Sequence, residues 1–492
     1  MRDKNDYAPL AIIGGGAAGL MGACLAGELG IPTLLLERKH RVGSKLLMCG
    51  NGRCNLSWRL EPAQMLADFG PPLDTFLQPA IQAFSPAMLM RWFEQRGLPL
   101  MTTSDGKVFP RSERAPDVVH CFQDELRVRG VALCTQAPVE RIEPLEGGGF
   151  RLHTAVFAFN ARHVLLTTGG VSYPKTGSVG DGQRMAGELG LRVLPFRAGL
   201  VGLEWDDPWM QRQIGKPFTR AAVKVFDGQA LLGETEGLLE VERWGLGGGC
   251  ISNATRLLSR ASAKQPALEI RPEPGAAVIR IENVRMRPLK EAMVTVGGVD
   301  LAEVSNTTFE SRRVPGLFLA GEVLDIDGPT GGYNLTAAFA TARLAVREIA
   351  RRLGGAGKTE DRRLKTEDLG ESRKSKVEIG SRRPQTKPES GIGRRASSLP
   401  DGGRRQTGDK EQQARWNAQR PTSKSRKSKV ESRNGRPQTA DYRPQTADPA
   451  SGVGCPASSR PPEHPTPNQA PRTKNQEPST RHQAQNASRR PR

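Results

Sequence analysis

Short apolar runs, a glycine-rich turn and an apolar helix follow one another at the start of the chain. Leu10–Ile13 is an apolar run typical of a buried strand, and the turn Gly14–Gly19 follows it directly. The segment Leu20–Leu29 predicts a helix, and Thr33–Leu36 predicts a second strand. A strand, a glycine turn, a helix and a strand in this order predict the first unit of a parallel α/β sheet.

The same pattern returns later in the chain. Val164–Thr168 predicts a strand that ends in a glycine turn at Gly169. Val314–Glu322 predicts another buried strand, and the apolar segment Leu335–Ala350 predicts a helix after a second glycine-rich turn. We therefore expect these late segments to return to the sheet that the N-terminal unit begins.

The apolar periodicity stops near Arg351, and the composition changes at the same place. Residues 351–492 hold 33 basic and 15 acidic residues, whereas residues 1–350 hold 39 and 37, so most of the net charge of +20 lies in the tail. Ser372–Glu378 and Ser425–Glu431 have the same sequence. We expect a disordered, basic, repetitive tail. Either it binds nucleic acid or an anionic surface, or it has no selected role; the near-neutral body excludes a wholly nucleic-acid-binding chain.

The first glycine turn has the residues that a dinucleotide site requires. Gly14 allows the tight turn, Gly16 lets the backbone approach a pyrophosphate, and Gly19 allows close packing of helix on strand. The start of the helix adds N–H donors for the anion. Glu37 lies 18 residues after Gly19, where a carboxylate accepts hydrogen bonds from a ribose 2′-OH. The motif predicts FAD or NAD rather than NADP.

Two basic residues after the second strand are candidates for the same site. Lys45 and Arg53 either neutralise a pyrophosphate or a reduced, anionic flavin, or are solvated surface charges. FAD needs a second set of contacts near its flavin end. The glycine-rich segments that follow Val164–Thr168 and Val314–Glu322 are candidates for these contacts.

Six blocks of sequence occur along the body of the chain: IIGGGAAGL at Ile12, GSKLLMCGNGRCNLS at Gly43, GKVFPRS at Gly106, TTGGVSYPKTGSVGDG at Thr167, VTVGGVDLAEV at Val294 and GLFLAGEVLDIDGPTGGYN at Gly316. Together they resemble the bacterial BaiN-like, or aminoacetone-oxidase-like, family of FAD-dependent oxidoreductases over about residues 8–350. The resemblance implies FAD contacts at Gly14, Gly16, Ala17, Ala18, Gly19, Glu37, Arg53, Asn55, Gly321, Glu322, Asp325, Gly331, Gly332, Tyr333 and Asn334. Inspection of the motifs adds Gly15, Arg38, Lys45 and Gly169 as cofactor-binding candidates.

The resemblance also implies a discontinuous FAD-binding domain. We expect a Rossmann-like, three-layer α/β domain formed by residues 1–195 and 292–350, with a smaller, mostly β, substrate-side domain inserted over 196–291. This insertion is shorter than the family pattern and has almost no room for a helical part. If the missing part covers the active site, the chain has an open site or is a non-catalytic remnant.

The catalytic residue stays open, with Cys54, Tyr173 and Tyr333 as candidates. Cys49 and Cys54 have the spacing of a flavoenzyme redox pair, and a helix would place both sulfurs on one face. The intervening Gly50–Arg53 is instead typical of a loop, which favours Cys54 as a packed residue near the flavin. Each tyrosine is either an active-site hydroxyl or an ordinary buried side chain.

The sequence therefore predicts a soluble, cytoplasmic, FAD-dependent oxidoreductase. It would pass a hydride or electrons between NAD(P)H or a small organic substrate and an acceptor, and the resemblance allows enone reduction or amine oxidation without choosing between them. The N-terminus lacks signal-peptide order, the uncharged run Ala8–Gly27 is too glycine-rich for a membrane span, and the six histidines show no metal-ligand spacing. The alternative is a flavoprotein that binds or modifies nucleic acid through its tail.

Overall fold

The computed structural model describes residues 7–354 of the 492-residue chain. The predicted disordered tail therefore lies outside the described residues, apart from its first four positions. Helices in the described part are α1 (Ala17–Glu28), α2 (Pro62–Phe69), α3 (Leu73–Ala83), α4 (Pro86–Glu94), α5 (Ala115–Val128), α6 (Asp181–Glu188), α7 (Pro208–Gln213), α8 (Gly249–Ala261) and α9 (Tyr333–Arg352).

Strands alternate with these helices at the start and dominate the middle of the chain. They are β1 (Ala8–Ile13), β2 (Thr33–Leu36), β3 (Ser57–Trp58), β4 (Leu100–Thr102), β5 (Lys107–Pro110), β6 (Ala132–Cys134), β7 (Val139–Pro144), β8 (Phe150–Thr154), β9 (Ala158–Leu166), β10 (Val193–Gly199), β11 (Leu203–Glu204), β12 (Pro217–Asp227), β13 (Ala230–Glu242), β14 (Gly245–Gly247), β15 (Pro266–Arg271), β16 (Ile279–Glu282), β17 (Arg285–Met286), β18 (Val294–Val299) and β19 (Leu317–Leu319).

A mixed seven-stranded sheet carries the N-terminal unit. Its parallel part runs in the order β6-β2-β1-β9-β19. Strand β8 pairs antiparallel with β9, and β7 pairs antiparallel with β8. Leu10 pairs with Thr33 and with His163, so β1 lies between its two neighbours, and its residues Leu10–Ile13 are buried. The predicted α/β class with a Rossmann-like sheet is confirmed.

A second, antiparallel seven-stranded sheet forms the middle of the chain. Its order is β16-β15-β12-β13-β14-β11-β17, and α8 packs against β12 and β13. A two-stranded sheet pairs β10 with β18, and a three-stranded sheet has the order β3-β5-β4. The predicted mostly β character of this region is confirmed, whereas the domain boundaries at residues 195 and 291 stay a prediction.

Helix α1 is buried on nearly every side, which is why its sequence is apolar all round. It packs between the parallel sheet and α9, where Gly22 allows close approach to Leu165 and Val346. The helix begins at Ala17 rather than at the predicted Leu20. Gly16 has extended backbone angles and serves as its N-cap, which leaves the three following residues free to be helical.

Two late elements also differ from their predicted bounds. The predicted strand Val314–Glu322 is shorter, because β19 ends at Leu319 and a single 3₁₀ turn occupies Gly321–Val323. Helix α9 begins two residues earlier and ends two residues later than predicted. Its last turn is stabilised by ion pairs of Arg351 and Arg352 with Glu348. No helix within residues 7–354 is long and apolar enough to cross a membrane.

Candidate functional site

A cavity of about 1720 Å³ opens at the carboxyl ends of the parallel strands β1, β2, β9 and β19. This end of a parallel sheet is where open α/β folds bind ligands. The opposite wall comes from the antiparallel sheet and α8, so the cavity lies between the two large sheets. Drug-sized ligands occupy pockets of roughly 300–1,000 Å³, so this cavity has room for a dinucleotide and a second molecule.

The glycine turn between β1 and α1 forms one end of the cavity. Gly14 has φ +106°, and a Cβ there would lie 2.6 Å from the Thr167 carbonyl oxygen. A Cβ at Gly19 would lie 1.8 Å from the Gly14 carbonyl oxygen, so the chain itself requires glycine at both positions. At Gly16 a Cβ would meet nothing within 4 Å, although the residue lines the cavity. The space beside Gly16 is therefore open to a ligand.

The start of α1 is electrostatically suited to an anion. The N-cap Gly16 supplies no side-chain hydrogen bond, and the first helical turn has no acidic residue. The first N–H groups of a helix lack intrahelical acceptors and carry the positive end of the helix dipole. Ala17 and Ala18 line the cavity beside them. A phosphate group is the ligand that such a helix end binds best.

Glu37 lies where β2 ends, beside the glycine turn. Its Oε2 accepts a hydrogen bond from the Gly15 N–H at 2.7 Å, and its Oε1 accepts one from the Lys39 N–H at 2.7 Å. Burial raises the pKa of this carboxyl, and the two N–H donors oppose that shift. Each carboxylate oxygen can accept a second bond, so Glu37 is still able to bind a hydroxyl group in the cavity.

Lys45 and Glu322, which are far apart in sequence, form an ion pair on the cavity wall. The Lys45 Nζ donates to Glu322 Oε2 at 2.6 Å and to Ser172 Oγ at 2.7 Å. Glu322 Oε1 accepts from the Thr295 N–H at 2.8 Å and from Ser172 Oγ at 3.1 Å. This network fixes four segments around the cavity and holds a lysine charge there. Arg38, also on the wall, pairs with Asp181.

The segment from Cys49 to Cys54 is a turn, which contradicts the helical alternative for the two cysteines. Gly50 and Asn51 have φ of 57° and 56°, and Cys54 has φ of 62°. Gly50, Asn51 and Gly52 between the cysteines adopt left-handed backbone angles, which interrupt a right-handed helix. Cys49 lines the cavity, whereas Cys54 is fully buried behind it.

Two neighbours of this turn also line the cavity. The Arg53 guanidinium stacks over the Phe109 ring at 4.6 Å and pairs with Glu113 at 3.1 Å. Asn55 is buried. Arg53 is thus paired with a carboxylate, and that carboxylate does not line the cavity.

The two candidate tyrosines have different surroundings. Tyr173 lies in the left-handed region at φ 51°, lines the cavity, and its hydroxyl has no protein hydrogen-bond partner within residues 7–354. Burial, and then the nearby Cys49, raise its pKa. The Tyr333 hydroxyl donates to Asp68 Oδ2 at 2.6 Å, and burial with this carboxylate raises its pKa further. Tyr173 is therefore the tyrosine whose hydroxyl is free for a ligand.

The remaining predicted residues divide into two groups. Cavity-lining members are Gly14, Gly15, Gly16, Ala17, Ala18, Glu37, Arg38, Lys45, Arg53, Asn55, Gly169, Gly321, Glu322, Gly331, Gly332, Tyr333 and Asn334. Gly19, Cys54 and Asp325 are not among the lining residues. The Asp325 carboxylate instead accepts from the Gly297 N–H and from Arg260, and burial raises its pKa.

Sequence reasoning missed the wall that the antiparallel sheet supplies. Arg220 on β12, Glu236 and Leu238 on β13, and Arg271 on β15 line the cavity, as does Arg256 on α8. The alternation of polar and apolar residues along β12 predicts a two-faced strand. This alternation does not show what lies opposite the polar face. The sequence alone therefore could not identify these residues as part of the site.

Comparison with known proteins adds relatives along the whole body. Residues 8–348 match the family described as HI0933-like protein Rossmann domain. A 3-dehydro-bile acid delta(4,6)-reductase from Clostridium scindens is 27% identical over 411 residues, covering 70% of this chain and 99% of the relative. A ribosomal RNA dihydrouridine synthase from Escherichia coli is 28% identical over 396 residues, covering 69% of this chain and 97% of the relative.

The comparison with solved structures gives matches at low sequence identity. A 3-ketosteroid delta1-dehydrogenase from Sterolibacterium denitrificans, in complex with 1,4-androstadiene-3,17-dione, is similar with a TM-score of 0.45 and 12% identity. The similarity covers 71% of this chain and 100% of that one.

Proposed function

The chain belongs to the HI0933-like Rossmann domain family, and we propose that it is an FAD-dependent oxidoreductase. The observation that carries the proposal is the open, uncapped start of α1 beside Gly16, with Glu37 at the neighbouring strand end. A pyrophosphate fits the helix start, and a ribose hydroxyl fits the carboxylate. The donor set therefore suits the adenosine diphosphate half of FAD.

The size and lining of the cavity support FAD over a shorter nucleotide. Predicted contacts from the glycine turn at one end and from Gly331 to Asn334 at the other line the same cavity. We place the flavin end beside Lys45, whose ammonium stabilises negative charge on a reduced flavin. When bound, the flavin supplies hydride or electron transfer. Glu322 and Ser172 hold the Lys45 Nζ in position for that interaction.

We propose that the reaction is reduction of a carbon–carbon double bond conjugated to a carbonyl. The names of the two relatives described above support this choice, because each describes reduction of a double bond in a carbonyl-containing ring. Such a reduction needs a proton as well as a hydride. The Tyr173 hydroxyl keeps its proton at neutral pH, because burial raises its pKa, and it faces the cavity without a protein acceptor. It is our proposed proton donor.

The substrate region has an apolar component. Met48, Leu238 and Met293 line the cavity, and each is more than a third exposed, so the cavity wall offers apolar as well as polar side chains. A small organic molecule with an apolar ring system would cover them. We propose NADH or NADPH as the reductant that restores the reduced flavin.

A second candidate function is reduction of a base in RNA. The E. coli relative described as a ribosomal RNA dihydrouridine synthase favours it, and so do Arg220 and Arg271 on the cavity wall, neither of which has an ion-pair partner within the described residues. Arginines without carboxylate partners are suited to phosphate groups. Salt-dependent binding of ribosomal RNA that is weakened by changing both arginines to glutamine would support this candidate. Ribosomal RNA binding that is unchanged in this variant would contradict the second candidate function.

The cofactor proposal has a direct chemical test. The purified full-length protein is denatured, and the released small molecules are separated by chromatography and identified by mass spectrometry. We expect FAD in near-equal amount to protein. Release of NAD, or of no nucleotide even after incubation with FAD, would contradict the proposal and favour the non-catalytic remnant.

A further inference from the structure

Cys49 and Cys54 close a tight turn at the wall of the cavity. The Cys54 N–H donates to the Cys49 carbonyl oxygen at 2.9 Å, so the two residues are held together across four intervening positions. Gly50, Asn51 and Gly52 have φ between 56° and 84°, and Cys54 has φ of 62°. Asn51 and Cys54 are not glycine, and such residues adopt this conformation at an energetic cost.

The hydrogen bond limits the separation of the two residues. With standard backbone bond lengths, a 2.9 Å bond from nitrogen to oxygen places the Cα atoms no more than about 6.8 Å apart. Disulfide bonds join residues whose Cα atoms are about 4.4–6.8 Å apart. Both sulfurs are free thiols here. The Cα separation of the two residues is therefore no larger than a disulfide allows.

The two thiols differ in access. Cys49 lines the cavity and is partly exposed, whereas Cys54 is completely buried behind it. A molecule in the cavity can reach the outer sulfur only, and the inner sulfur can react only with its neighbour. Lys45, Glu322 and Tyr173 are the charged and titratable groups beside Cys49. Burial raises the pKa of both thiols, and at Cys49 the lysine opposes this shift while Glu322 adds to it.

We propose that Cys49 and Cys54 form a thiol–disulfide exchange site for small organic disulfides that enter the cavity. The Cys49 thiolate attacks a disulfide R–S–S–R, the S–S bond breaks, and one thiolate leaves and takes up a proton. The Cys54 thiolate then attacks the Cys49 sulfur and releases the second thiol. The chain loses two electrons and two protons, and the disulfide gains them. This site does not depend on the proposed flavin chemistry.

The position of Arg53 makes the test specific. The folded, full-length protein is equilibrated in glutathione buffers of increasing disulfide content, its remaining thiols are blocked, and it is digested with trypsin without reduction. Trypsin cleaves after Arg53, between the two cysteines, so the bond would join peptides 46–53 and 54–59. We expect this cross-linked pair to be the first intramolecular disulfide that mass spectrometry detects. Its absence at every ratio, or its formation only in denaturant, would overturn the proposal.

Three variants assign the roles of the two sulfurs. Cys54→Ser should retain glutathione on Cys49 as a stable mixed disulfide, because the second step is lost. Cys49→Ser should leave Cys54 unmodified in the folded protein. Cys250→Ser is the matched control: this free, buried thiol donates to the Leu238 carbonyl oxygen, a bond that serine can keep, and the cross-link should form as in the wild type. Glutathione on Cys54 in the Cys49→Ser protein would contradict the assigned order.

Discussion

Gly16 and Gly19 belong to one motif but meet different surroundings. Beside Gly16 the chain leaves open space, whereas at Gly19 the main chain of Gly14 occupies the position of a Cβ. The first glycine is therefore free to serve a ligand, and the second serves the packing of α1 on the sheet. The two positions allow a substitution experiment in which ligand binding and stability respond separately.

Gly16→Ala should weaken FAD binding by roughly tenfold or more, equivalent to about 1.4 kcal/mol, because the methyl group enters the space proposed for the pyrophosphate. The free energy of unfolding should change by no more than about 1 kcal/mol, the usual difference between glycine and alanine at an N-cap. Fluorescence titration with FAD and denaturant unfolding of the apoprotein check the two effects.

Gly19→Ala is the matched comparison. Its Cβ would lie 1.8 Å from a carbonyl oxygen, so the strand and helix must separate, and overpacking of this kind costs about 1–3 kcal/mol or more. We expect a clear loss of thermal stability. Equal FAD affinities for the Gly16→Ala protein and the wild type would contradict the assigned role of Gly16.

Tyr173 and Tyr333 provide a second comparison at the residue scale. Tyr173→Phe should lower kcat by about 100-fold with little change in KM, because a proton donor contributes on that order. The assay follows an α,β-unsaturated ketone that the wild-type protein reduces. Tyr333→Phe should lower kcat much less, because that hydroxyl is already bound to Asp68. A larger loss of kcat in Tyr333→Phe than in Tyr173→Phe would assign the proton donor to Tyr333 instead.

At the scale of elements, the sequence predicted the β1-α1-β2 unit well because its signals are local. A buried strand, a glycine turn and an apolar helix can each be recognised without knowing their neighbours. The Cys49–Cys54 turn was harder to interpret, since C-x₄-C spacing fits a helix and a loop alike. The left-handed backbone angles of Gly50 and Gly52 make this segment a turn rather than a helix. Helices α2, α3 and α4 were not predicted individually.

Helix α8 is tied to the rest of the molecule by a buried ion pair that the sequence did not reveal. The Arg256 Nε donates to Asp327 Oδ1 at 2.6 Å, and its NH2 group donates to the Phe69 carbonyl oxygen at 2.9 Å. The two side chains are 5% and 0% exposed. These contacts connect the antiparallel region to α2 and to the segment that precedes α9.

Arg256→Met should lower the free energy of unfolding by about 3 kcal/mol, because it leaves a buried aspartate with one partner fewer. The value lies at the low end of the usual range because Arg260 still pairs with Asp327. Arg280→Met is the control, since that exposed arginine pairs with Glu269 and Glu282 at the surface and its loss should leave the melting temperature nearly unchanged. Similar melting temperatures for both variants would contradict the anchoring role.

At the scale of the whole molecule, the family was recognisable from its ordered motifs, and the match over residues 8–348 confirms it. The site was only half predictable. Motif residues identified the wall at the parallel sheet, but Arg220, Leu238 and Arg271 face the cavity only because one sheet packs opposite another. Tertiary packing of this kind leaves no short-range pattern in the sequence.

The body and the tail make separable contributions in this account. The proposed FAD contacts all lie within residues 7–354, and the body is nearly neutral. A protein truncated after Gly354 should therefore retain the FAD affinity of the full-length chain, measured by the same titration. It should lose any salt-sensitive RNA binding that comes from the tail. A large loss of FAD affinity on truncation would contradict the assignment of the site to the body.

The visible absorbance spectrum of the purified protein, recorded before and after anaerobic addition of NADH or NADPH, tests whether the chain is an FAD-dependent oxidoreductase. We expect the absorption bands of a bound oxidised flavin, and we expect a reduced nicotinamide nucleotide to bleach them. Bound flavin that does not bleach would support the assignment as a flavoprotein and contradict NADH and NADPH as the reductant. A colourless protein that takes up no added FAD would contradict the proposed cofactor and the proposed function.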